Sequence, residues 1–217
     1  MELTREDIVA WIERVAALMH EHRDFLTALD AAIGDADHGA NMDRGFQAVL
    51  AKLQGGNPAD SAGVLRTTAM TLLSTVGGAS GPLYGTFFLT LATQLQNAER
   101  VDAQRWGAAL EAAVKAVMTR GQAQPGDKTM VDALLPAVGA YQEALQQGES
   151  FVQALQRAAD AAEEGMRATI PLVARRGRAS YLGERSAGHQ DPGATSSALI
   201  IRAAAEVWAG RGNGSTA

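Results

Sequence analysis

Three aspartates, Asp30, Asp35 and Asp37, fall within eight positions of the run DAAIGDADHGANM, beside glycine. Two carboxylates about 4 Å apart repel by ~4 kcal/mol at an effective dielectric near 20. On an open surface such groups turn away from one another; held in one cleft they need a cation. A set made only of carboxylates suits a hard ion, Mg²⁺ or Ca²⁺, better than zinc or copper. An EF-hand is excluded. With Asp35 and Asp37 at loop positions one and three, Ala40 replaces the required glycine and Phe46 the bidentate glutamate. The same acids also suit a plainer role, capping the helix that begins near Gly39 and offsetting its dipole. Spacing alone leaves both readings open.

Three glycine-rich stretches bear on the choice. GGASGP (77–82) permits backbone turns that aim successive N–H groups inward, just before a helix start that favours an anion. GHQDPGATS (188–196) opens another helix, with Asp191, Pro192 and Gly193 at its mouth and Thr195 and Ser196 in its first turn. GQAQPGDKTM (121–130) approaches a P-loop through Gly121 and Gly126, but Asp127 stands where the lysine must be and no strand precedes it. Several glycine-rich helix starts with an acidic trio suggest phosphates bridged by Mg²⁺.

The chain-wide properties narrow the partners. The 217 residues carry a net charge of −5 with 5 % aromatics and no basic tract, which argues against nucleic acid. With no cysteine, disulfides, thiolate catalysis and Cys-ligated zinc are excluded. The N-terminus lacks the apolar core of a signal peptide, and no run approaches the roughly 18–20 apolar residues of a membrane span. A cytoplasmic globular protein is expected.

The elements that must position these residues read as helices. Thr4 and Asp7 form a capping-box pattern, after which Ile8, Trp11, Ile12, Val15, Leu18, Met19, Phe25 and Leu26 recur at spacings of three and four. Further helices are expected from Gly39 to about Leu53, after Asp60 or Ser61, after Gly81-Pro82, from Asp102 to near Gly121, from about Met130 to Leu145 with a kink at Pro136, after Ser150, and from Asp191-Pro192 through Trp208. No stretch alternates with period two. Eight amphipathic helices with mostly short connections imply an all-α antiparallel bundle or barrel, a single domain over 1–217. The ends, RGNGSTA included, are expected to fray. One connection is long: residues 174–190, ARRGRASYLGERSAGHQ, carry Tyr181, Leu182 and several arginines and read as a lid before the last helix.

GDADHGANM (34–42), GGASGP (77–82), PGDKTM (125–130) and YLGERSAGHQDPGATS (181–196) resemble, in order and over essentially the whole chain, the signature blocks of the nucleotide-binding L subunit of dihydroxyacetone kinase. The resemblance implies an eight-helix antiparallel barrel holding ADP or ATP and two Mg²⁺ ions at one end. It makes Asp30, Asp35 and Asp37 the magnesium ligands. His38, Gly39, Ala40 and Asn41 would meet the phosphates, joined by Ala79 and Ser80. Gly121 and Met130 would line the adenine site, and Asp191, Pro192 and Gly193 would close the pocket. Arg178 would meet phosphate oxygens during transfer, with Arg175, Arg176 and Arg185 as rivals.

In that family a separate K subunit holds dihydroxyacetone, and a phosphohistidine M subunit of the phosphotransferase system recharges the resident ADP. A free-standing chain of 217 residues that starts at its own Met favours this branch over ATP-dependent kinases, where the unit is fused behind a K domain. Some members also touch a transcription regulator, and the resemblance leaves self-association as a homodimer open. Two other readings stand beside this one: a subunit of an ATP-dependent kinase for another small ketose or sugar acid, and a nucleotide-sensing regulatory module.

Overall fold

The computed structural model describes residues 1–212, so the expected fraying of the RGNGSTA end falls, from residue 213 on, outside them. Among the described residues the chain forms nine α-helices, one 3₁₀ helix and no strand. The α-helices are α1 (Arg5–Glu21), α2 (Arg23–Ile33), α3 (His38–Gly56), α4 (Ser61–Thr75), α5 (Ser80–Gln94), α6 (Ala103–Gly121), α7 (Val131–Gln146), α8 (Phe151–Ala168) and α9 (Pro192–Gly212). Local capping sets most of their starts. The Thr4–Asp7 capping box forms, with the Thr4 N–H donating to Asp7 Oδ2 at 2.8 Å. Asp60 and Asp102 accept from Gly63 and Arg105 N–H groups, and Ser150 pairs reciprocally with Gln153.

Two expectations need correction. The first helix is two: it breaks at His22 (φ −100°, ψ 9°), and the apolar spacing runs through the break because a single re-aimed residue does not disturb the period. Beyond it Phe25 is half-exposed, while Leu26, Asp30 and Ile33 turn inward. Helix α5 begins at Ser80, with Gly81-Pro82 inside its first turn, where the missing proline N–H costs nothing. Helix α7 contains Pro136 inside its span, as expected.

From α3 to α9 each helix packs on the next, α9 packs on α1 and α2, and these pack on α3, so the series closes on itself. Consecutive helices therefore alternate in direction. The starts of α3, α5, α7 and α9 share one end with the last turns of α2, α4, α6 and α8. The other end is filled by aromatic rings. Trp11, Trp106 and Trp208 are fully buried and meet edge-on, Trp106 lying 5.3 Å from Trp11 and 4.9 Å from Trp208. Both outer indoles are satisfied: Trp11 Nε1–H donates to the Ile200 carbonyl and Trp208 Nε1–H to that of Asp7, each at 3.0 Å. Along α6, Trp106 and Gly121 are about 22 Å apart at 1.5 Å per residue, so this plug is remote from the open end.

Candidate nucleotide and metal site

At the open end lies a cavity of about 350 Å³ whose wall includes the first residues of four helices: His38, Ser80, Val131 and Pro192. Each helix start presents N–H groups without intrahelical partners and the positive end of a dipole, so the cavity favours anions.

The acidic trio answers the question left by its spacing by dividing the work. Asp30, on the last turns of α2, is buried, and its Oδ2 accepts the N–H groups of Asp37 at 2.8 Å and His38 at 3.1 Å. It thus caps α3 from seven residues upstream. Asp37, at the N-cap position itself, makes no side-chain capping bond, and both it and Asp35 stay exposed. Ala36 between them takes a left-handed φ of 62°, a strained choice for alanine. One carboxylate oxygen from each of the three lies within 4.8 Å of the other two. That oxygen-only set fits Mg²⁺. Arg178 Nε sits 3.0 Å from Asp35 Oδ2, bringing the lid arginine to the acids.

His38 joins three helix starts. Its Nδ1 is 3.2 Å from Ser80 Oγ on α5, and its Nε2 is 2.8 Å from Ser196 Oγ on α9. Burial holds its pKa below the usual imidazole value, opposed by the charges of Asp30 and Asp37. Ser196 Oγ in turn lies 2.6 Å from the buried Tyr84 hydroxyl, which burial pushes up to about 12. Asp191 caps α9, its Oδ2 accepting from Ala194 N–H at 2.7 Å. Burial raises its pKa to about 7, against the Ala194 bond and the charge of Lys128, with Asp132 and Asp30 adding to the rise.

Part of the cavity wall is apolar: Leu83, Val117, Ala123, Met130 and Val131 line it together with Gly121, where a Cβ would come within 3.2 Å of Leu83. Met130 gives this wall a polarisable surface. Of the residues singled out by sequence, Asp30, Asp35, Asp37, His38, Ala79, Ser80, Gly121, Met130, Arg178, Asp191, Pro192 and Gly193 all line this one cavity. Gly39, Ala40 and Asn41 stand behind it. A Cβ on Gly39 would lie 2.0 Å from the Arg23 carbonyl, so that glycine lets α3 approach α2; Asn41 is buried and accepts from Arg44 at 2.6 Å. Among the rival arginines, Arg176 also reaches the cavity wall and pairs with Asp127 at 3.3 Å, whereas Arg175 and Arg185 are not part of it.

The segment expected to act as a lid is partly helical. It carries the 3₁₀ helix Arg178–Ser186, bent at Gly183, with Tyr181 88 % exposed at its outer face. Sequence reasoning missed Tyr84, Arg120, Thr129 and Lys128 in the cavity wall. Lys128 carries a sequence signal, the lone cation of the run GQAQPGDKTM, one position beyond the place a P-loop lysine would take.

Comparison with known proteins agrees with this geometry. Residues 32–206 match the DAK2 domain model. The chain is 45 % identical over 202 residues to the ADP-binding subunit of the PEP-dependent dihydroxyacetone kinase of Escherichia coli, covering 93 % of this chain and 96 % of that protein. It is 39 % identical to the PTS-dependent counterpart of Lactococcus lactis, covering 95 % and 100 %. Rat triokinase/FMN cyclase is 39 % identical over 90 % of this chain, which spans 34 % of that protein. A crystal structure of the dihydroxyacetone kinase of C. freundii superposes with a TM-score of 0.70 at 28 % identity, over 92 % of this chain and 34 % of that one. The same kinase in complex with AMP-PNP and Mg²⁺ gives a TM-score of 0.68 over 95 % of this chain and 34 % of that one.

Proposed function

Because the chain belongs to the DAK2 domain family, we propose that it is the ADP-binding subunit of a dihydroxyacetone kinase, a phosphotransferase. In this reading it holds ADP with two Mg²⁺ ions. A phosphohistidine M subunit recharges it, and it passes the phosphoryl group to dihydroxyacetone held on a K subunit. The observation that carries the proposal is the meeting of three aspartate oxygens, four helix starts and Arg178 around one cavity with a partly apolar wall.

The residues divide the work by position. Asp30, Asp35 and Asp37 would hold the metal, which when bound neutralises phosphate charge. The starts of α3, α5 and α9 offer N–H groups to phosphate oxygens, and the Leu83–Val117–Met130 wall takes the base. Phosphoryl transfer asks the protein for positioning and charge neutralisation, and Arg178 supplies a cation. That guanidinium lies against Asp35, at the edge of the acidic trio. Asp191 keeps the α9 start rigid, and His38 locks it to α3 and α5 through Ser196 and Ser80.

Reconstitution with candidate K and M subunits tests the reading. Phosphoenolpyruvate should drive phosphorylation of dihydroxyacetone with catalytic amounts of ADP. Turnover that needs stoichiometric ATP would place the chain with the ATP-dependent kinases, and absence of transfer from either source would leave a nucleotide sensor.

A further inference from the structure

Lys128 is 1 % exposed and takes a left-handed φ of 62° between α6 and α7. Its Nζ donates to the carbonyls of Thr169 at 2.7 Å, Leu172 at 3.1 Å and Ile170 at 3.3 Å, and also to that of His189. An ammonium has three N–H donors, so four carbonyls exhaust it and none is left for a phosphate. This is not the role of a P-loop lysine.

The four acceptors lie at the two feet of the lid. Thr169, Ile170 and Leu172 follow the last turn of α8, whose final carbonyls lack intrahelical partners, and His189 lies just before α9. One side chain therefore clamps both ends of the connection that carries Arg178. Neighbouring bonds make the clamp part of a frame. The Gly188 N–H donates to the Ile170 carbonyl at 2.7 Å and the Asp191 N–H to Thr169 Oγ1 at 3.0 Å. The Arg175 N–H donates to the Asp127 carbonyl at 3.0 Å. The same short run continues into Thr129, Met130 and Val131 of the cavity wall, so it registers the lid against that wall.

We propose that Lys128 is a positioning residue for phosphoryl transfer, acting through the lid to hold Arg178 over the cavity. The proposal rests on the function assigned above, but its first test does not. Trypsin acting on the free chain reads how often the lid opens at Arg175, Arg176, Arg178 and Arg185. Lys128→Met should speed cleavage there by about tenfold or more, since local opening exposes these sites. The chain has no cysteine, so Lys128→Cys offers one thiol; aminoethylation in denaturant followed by refolding should restore the ammonium and the slow cleavage. If Lys128→Met does not fold, Lys128→Gln, which keeps two N–H donors on a shorter stem, replaces it.

In the reconstituted kinase, Lys128→Met should lower kcat at least about tenfold while ADP affinity stays within about threefold. In an Arg178→Ala background the same substitution should cost less than about twofold more, because the residue acts through that arginine. Lid cleavage at the wild-type rate, or losses that multiply in the double variant, would overturn the proposal. Lack of transfer by the unaltered chain would instead remove the assigned function, with the cleavage and aminoethylation results still deciding whether Lys128 holds the lid.

Discussion

At one end of the helix ring Trp11, Trp106 and Trp208 close the core with both outer indole N–H groups bonded to carbonyls. At the other end, three aspartates gather beside four helix starts around an open cavity. The first end spends its residues on burial, and little there depends on solvent or ions. The second keeps like charges together, a left-handed alanine between two of them and a buried aspartate raised to about 7. Like charges held together and a left-handed alanine oppose stability, and in the proposed function a bound ion would offset the repulsion. Stability and chemistry are thus housed about 22 Å apart.

That contrast is tested first at the acids. Asp35→Ala should cut Mg²⁺-dependent ADP affinity by at least about 100-fold, measured by calorimetry. The melting temperature of the free chain should hold or rise slightly, since the lost Arg178 pair is exposed and weak. A marked fall in that temperature would mean that the trio serves structure. Trp106→Ala is the mirror case: chemical denaturation should show a loss of about 3–5 kcal/mol, with ADP affinity of the folded fraction unchanged. Nucleotide binding lost in step with stability would join the two ends after all.

Arg178→Ala should slow transfer by roughly 100-fold while weakening ADP binding far less. Steady-state kinetics beside a binding titration separate the two, and the reverse order would make Arg178 a clamp alone. Asp191 gives the smallest effect and a definite sign. Its folded pKa lies above the unfolded carboxylate value near 4, so the charged form is disfavoured by folding. Its contribution is intact below about pH 4 and is lost as pH rises toward and through about 7. Asp191→Asn should therefore gain stability relative to the unaltered chain across that window, read as a difference in melting temperature against pH. A flat difference would show that the carboxyl does not titrate there.

Much of the fold was legible because capping and periodicity are local. Thr4 with Asp7, Ser150 with Gln153, and Asp60 and Asp102 each act within three residues, and each marks a true helix start. The glycine runs likewise announced the helix starts around the cavity. The features that escaped are those whose partners are distant. The break at His22 leaves the apolar spacing intact. Asp30 caps α3 across seven residues, His38 reaches Ser196 across 158, and Lys128 finds its carbonyls 41 to 61 positions away. The acids pointed both to a metal and to a helix cap, but only the fold reveals that the cap is Asp30, the most distant of the three.

A metal held by Asp30, Asp35 and Asp37 is expected to bind together with a nucleotide. The direct measurement is calorimetric titration of ADP into nucleotide-stripped chain, with Mg²⁺ and again with a chelator. Binding at one site per chain, stronger by about 100-fold or more with Mg²⁺, is predicted. Equal affinity in the two conditions, or no binding in either, would contradict it.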